Sequence, residues 1–216
     1  MSARTQVIGA LVLLSSTLPP GVRSQSKDSV SRTSPTPPRP PVPSEPFGLR
    51  MGMRRASLRV RRVPDSSQAF YMVVTAPRPH PRFESYAVLF TEKTGVCKVM
   101  ATGVTVNASV YGDELQSEFE SVRTSLQGRY GAGELQDFLR PGSIWDEPRD
   151  WMMGLYKKER VLAALWSGPS LPSDIAAIGL QTRALGPGEG WLSLTYEFSN
   201  FEQCQAEIKR NQRDVF

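Results

Sequence analysis

Leu115, Phe119, Val122 and Leu126 recur at helical spacing and predict an α-helix over 113–130. Glu114, Glu118 and Glu120 lie toward its start and Arg123 and Arg129 toward its end, which suits the helix dipole, and Gly131 can stop it. A period of two marks the strands. Leu192, Leu194, Tyr196 and Phe198 alternate with Ser193, Thr195 and Glu197, so 191–198 has one buried and one wet face. β-Branched and aromatic runs predict further strands at 69–75, 86–91, 161–166 and 175–183. In 96–106, strict alternation puts Cys97, Val99 and Ala101 on one face and Lys98 on the other. Thr94-Gly95 joins this strand to the one before it as a hairpin, and the Gly186 to Gly190 run turns the chain before the last strand. A short helix begins at Pro148 or Asp150 and runs to about Tyr156; in the turn and helix together, Trp145, Trp151, Met152 and Met153 read as core contacts more readily than as the floor of a groove. At the end, Ser199 and Glu202 have capping-box spacing, and Phe201, Cys204 and Ile208 form an inward stripe. Strand-rich halves, each followed by a helix, predict an α+β fold: a two-layer sandwich of an antiparallel sheet with helices packed on one face.

Outside this pattern the composition changes. Residues 1–24 combine Arg4, an apolar run from Val7 to Leu14 and the small or aliphatic residues around Ser24, the plan of a secretory signal peptide. The competing reading is an N-terminal arm with a chance apolar patch. No later stretch reaches the ~20 uncharged residues of a membrane-spanning helix, so no transmembrane segment is expected in the mature chain. Residues 25–46 are rich in Ser, Thr and Pro and read as a spacer in preference to an SH3-type ligand. Residues 47–216 then form a single α+β domain.

Export changes the reading of the cysteines. The chain has two, Cys97 and Cys204, and in an oxidising compartment they are expected to form one disulfide, with two separate buried thiols as the alternative. One histidine and two cysteines cannot build a four-ligand Cys/His zinc site, and no cofactor is expected. His80 sits among Pro77, Pro79 and Pro81, in an extended turn. No phosphate loop, HExxH pair, GxSxG elbow or EF-hand is present. Asn107-Ala108-Ser109 matches a glycosylation sequon by chance.

Two charged segments remain. Arg50, Arg54, Arg55, Arg59, Arg61 and Arg62 form a cluster without an acid, while beyond residue 62 the chain carries 15 basic and 19 acidic groups. The cluster suits an anionic partner, either an envelope protein or an anionic surface such as lipid headgroups. Contact with the domain's own acids is the competing reading, and spacing leaves strand and helix both open. Nucleic acid is disfavoured, since no stacking aromatics are interleaved with the arginines. Asp146, Glu147 and Asp150 suggest paired carboxylates of a small hydrolase, although acids at a helix N-terminus account for the same spacing.

Phe47-Gly48-Leu49-Arg50-Met51-Gly52-Met53, Arg82-Phe83-Glu84-Ser85-Tyr86, Gly95-Val96-Cys97, Asp137-Phe138-Leu139-Arg140 with the Gly142 to Met153 segment, and Phe201-Glu202-Gln203-Cys204 carry a resemblance. From Phe47 onward the chain resembles a group of uncharacterised exported bacterial proteins. Gly52-Met53 also looks like the approach to the first helix of BamE-like and β-lactamase-inhibitor-protein-like envelope modules. The resemblance implies a bacterial, exported protein, periplasmic or extracellular, and transfers no catalytic residue. The expected function is that of a non-enzymatic exported binding module, with a small hydrolase as the alternative.

Overall fold

The computed structural model describes residues 44–62 and 71–213; the signal-peptide reading and most of the spacer lie outside them. The described chain is an α+β sandwich. Its strands are β1 (Val60–Arg62), β2 (Tyr71–Val74), β3 (Phe83–Thr91), β4 (Gly95–Gly103), β5 (Val106–Asn107), β6 (Glu134–Leu139), β7 (Arg160–Ser167), β8 (Ile175–Gly186) and β9 (Glu189–Phe198). Its helices are α1 (Asp113–Tyr130), α2 (Trp151–Tyr156) and α3 (Phe201–Arg213). The strands join one antiparallel sheet in the order β1-β2-β3-β4-β9-β8-β7-β6, with β5 paired to β9 beyond the end of β4.

Alternation decides the layers. Tyr86, Val88 and Phe90 of β3, Val99 and Ala101 of β4, and Leu192 to Phe198 at every second position of β9 point into the main core. Helix α1 closes that face with Leu115, Phe119, Val122, Leu126 and Tyr130, the predicted stripe extended by one turn, and Gly131 ends it at φ 86°. Trp151, Met152 and Leu155 of α2 join the same core, so two of the four Trp/Met residues are packing elements, while Trp145 and Met153 are half-buried. Burial of that many large apolar side chains, at about 1.5–3 kcal/mol each, is the main force holding the layers together.

The one-face arrangement holds for α1 and α2; α3 lies on the reverse face, over β3 and β4. A β-bulge turns Cys97 to that face as well. Leu89 pairs with Lys98 but Phe90 pairs with Val96, leaving Cys97 as an extra residue in β4. The expected face-sharing of Cys97 with Val99 and Ala101 is therefore corrected: Cys97 turns to the side of Leu89, where Cys204, Phe201 and Ile208 of α3 meet it. The Cys97–Cys204 disulfide forms there, with Cα atoms 6.3 Å apart. Asn200, not Ser199, precedes the first turn of α3: its carbonyl accepts the Cys204 N–H, and its side-chain amide donates to the carbonyls of Val96 and Thr94. The Ser199 hydroxyl points to Met51 instead of forming a capping box.

The N-terminal segment packs into the fold. Pro46 is buried and Glu45 pairs with Arg78, so ordered packing starts slightly before Phe47. Gly52 donates to Val96 and Val96 donates to Met53, which extends the ladder past the end of β9. Gly95, at φ 75°, lies so close that a Cβ there would stand 2.5 Å from the Gly52 carbonyl oxygen. After Gly52-Met53 the chain makes one 3-10 turn, Arg55–Ser57, and then the edge strand β1.

Candidate functional site

The arginine cluster lies along that edge, and its geometry is extended. Arg55 sits in the 3-10 turn, the Arg59 carbonyl accepts the Thr75 N–H, and Arg61 and Arg62 belong to β1, so Arg55, Arg59 and Arg62 do not share a helical face. Val60 pairs with Val74 and packs against the main core, whereas Arg62 pairs with Val73 across a bulge. Arg54 donates to the carbonyls of Glu92 and Lys93, at 2.6 and 3.0 Å, and so braces the β3–β4 turn. Arg50 approaches Glu45 at 3.7 Å. Arg54, Arg55, Arg59, Arg61 and Arg62 are exposed, and none of the five forms an ion pair with an acid among the described residues.

The acidic segment is arranged differently. Asp146 and Glu147 are exposed, and Glu147 is held by Arg149 at 2.8 Å, also at the surface. Asp150 ends the 3-10 turn that leads into α2. Ile144 beside them is 76% exposed, so the segment is a surface loop, not the wall of a cleft. A glycosidase needs two carboxyls facing each other across a sugar-sized gap. These residues do not line the clefts on either side of α1 or the one beside α2. Among the described residues no group of three His, Cys, Asp or Glu is placed to hold a metal ion.

A cleft of about 270 Å³ between α1 and the N-terminal turn collects residues that motif reasoning did not connect. Phe47, at φ 55°, packs its ring against Phe83, Tyr86 and Tyr196, at centroid distances of 5.5, 4.8 and 6.1 Å. Arg82 is paired with Glu118 and donates to Ser121 at 3.0 Å, which leaves Arg129 as the lining cation without an ion pair among the described residues. His80 accepts the Arg82 N–H at Nδ1. Ser125 donates to the Ser121 carbonyl one turn back and not to His80, so the two are not set as nucleophile and base. Burial pushes the Tyr196 hydroxyl well above its usual range, Tyr130 adds to this and Arg129 opposes it; the group stays protonated. Periodicity places Val122 and Leu126 on a helix stripe, Leu194 and Tyr196 on a strand face and His80 in a turn, but gives no sign that they meet, because the cleft joins residues some 150 positions apart in sequence.

No helix among the described residues is long and apolar enough to cross a membrane. Comparison with protein-family models, with curated proteins and with solved structures finds no match to the chain.

Proposed function

We propose that this chain is a non-enzymatic, exported binding module, acting in the periplasm or outside the cell, whose arginine-rich edge holds an anionic envelope protein or surface. The carrying observation is that Arg54, Arg55, Arg59, Arg61 and Arg62 are exposed beside or on a sheet edge without an acidic partner among the described residues. Contact with the domain's own acids, the competing account of the cluster, has only the Arg50–Glu45 approach in its favour. Guanidinium groups present several donors to phosphate or carboxylate oxygens, and such contacts at a wet surface weaken as salt screens them. Arginine on an edge strand also discourages pairing with other sheets, so the residues have a structural use that the test must separate from binding.

The experiment is co-sedimentation of the mature chain with vesicles containing anionic phospholipid, against neutral vesicles, over a range of salt. Binding to anionic vesicles should weaken steeply between about 50 and 300 mM salt. It should fall about tenfold or more when Arg55, Arg59 and Arg62 all become Gln, at roughly 1 kcal/mol per basic residue near the surface. An unchanged affinity in that variant, or no binding at low salt, would reduce the cluster to an edge guard.

A further inference from the structure

A second cleft, of about 410 Å³, opens where β7 and β8 separate beside the end of α2. Its charged lining consists of Lys158, Arg160 and Arg183, with no carboxylate among the lining residues, and Tyr156 and Trp191 supply flat aromatic surface. Arg183 and Trp191 are cross-strand partners on β8 and β9, so a cation and an indole stand side by side. Arg160 packs its guanidinium over the Trp151 ring and reaches Asp137 at 3.5 Å, yet its buried Nε–H meets no acceptor among the described residues. Such a donor is suited to an anion.

Lys158 adds an independent observation. Helix α2 ends in a Schellman motif, in which Glu159 donates to the Gly154 carbonyl and Lys158 to that of Leu155. The left-handed residue of this motif is usually glycine, but here Lys158 holds it at φ 61°. The Gly154 and Leu155 carbonyls are thereby occupied by the motif's own N–H groups, and a lysine lines the cleft at the expense of backbone strain.

We propose that this cleft binds a small phosphate monoester with a flat ring next to the phosphate, as in an aryl or nucleoside monophosphate. Lys158 and Arg183 have no acidic partner among the described residues, and with Arg160, which Asp137 already pairs, they favour a group that carries close to two negative charges at neutral pH over a monocarboxylate. Tyr156 and Trp191 offer the ring a stacking surface, and Gln181 is among the lining residues. The site is independent of the arginine edge.

The test is titration of the mature chain with phenyl phosphate, inorganic phosphate and phenol, followed by calorimetry and by amide and indole N–H shifts. Phenyl phosphate should bind saturably and shift Glu159, Gln181 and Trp191, while each half-probe binds about tenfold more weakly or worse. Lys158→Gly should weaken phenyl phosphate about five- to tenfold while the melting temperature holds or rises, because glycine relieves the left-handed strain. Arg183→Gln, at an exposed position, should weaken it comparably, and the triple arginine-edge variant should leave it unchanged. Absence of saturation at about 10 mM phenyl phosphate, unchanged binding in both Lys158→Gly and Arg183→Gln, or shifts confined to the arginine edge would overturn the proposal.

Discussion

Glu207 is 4% exposed, an unusual position for a carboxylate in the middle of a surface helix. It accepts hydrogen bonds from the Thr91 hydroxyl at 2.6 Å, the Thr94 hydroxyl at 3.0 Å and the Lys93 N–H at 3.1 Å, and so locks the turn between β3 and β4. Burial pushes its pKa up, but these donors outweigh burial and hold the carboxyl below the usual glutamate range. A depressed folded-state pKa contributes stability that is complete above the unfolded value and is lost as pH falls through the folded one. Glu207→Gln should therefore cost about 1–3 kcal/mol at neutral pH. The gap from the parent protein should shrink below about pH 4. Chemical denaturation at pH 7 and pH 3 checks both, and a gap that stays constant would show that the charge is not what the turn requires.

At the level of elements, the apolar contact of α3 with the sheet is one small cluster. Leu89, Cys97 and Cys204 are buried together, with Tyr71, Phe201 and Ile208 around them, and Lys98 lies over the Phe201 ring while pairing with Glu197. That apolar contact is far smaller than the one holding α1, so the covalent link matters more to this element. It closes a sequence separation of 107 residues, for which the chain-entropy model gives up to ~4.7 kcal/mol. Cys204→Ser should lower unfolding stability by about 2–5 kcal/mol. Loss of protection should appear first in α3 and in the β3–β4 turn. Hydrogen exchange measures this directly; uniform destabilisation with α3 still protected would mean that packing alone holds the helix.

On the scale of the whole molecule, the net charge of +5 conceals an uneven distribution. The basic excess is concentrated around the β1 edge, and the opposite edge, β6, is of a different kind. Five of its six residues are exposed, Phe138 is 52% and Leu135 51% accessible, and among the described residues it pairs only with β7. Charge on an edge strand opposes pairing with another sheet, whereas an exposed apolar edge invites it. Phe138→Lys should accordingly reduce light scattering at high protein concentration and leave the melting temperature within about 1 °C, as expected for a surface substitution. Scattering equal to that of the parent protein would show that this edge drives no association.

What the sequence by itself determined was whatever one element announces within its own length. The stripe of α1, the alternation of β9, the inward side of α3 and the partnership of the only two cysteines were all legible, because periodicity and cysteine count are local or global properties that need no neighbour. Strand β6 was not: Glu134 to Leu139 shows no alternation, and its strand character comes from the ladder to β7. The face of Cys97 was misread for a related reason, since a bulge is defined by two strands and the sequence of one shows only the unshifted period. The arginine cluster was visible as charge, but its extended form came from pairing of Val60 with Val74. The cleft containing Lys158, Arg160, Arg183 and Trp191 was decided by tertiary structure alone, because cross-strand register places residues from three separate segments side by side, and no spacing along the chain encodes that register.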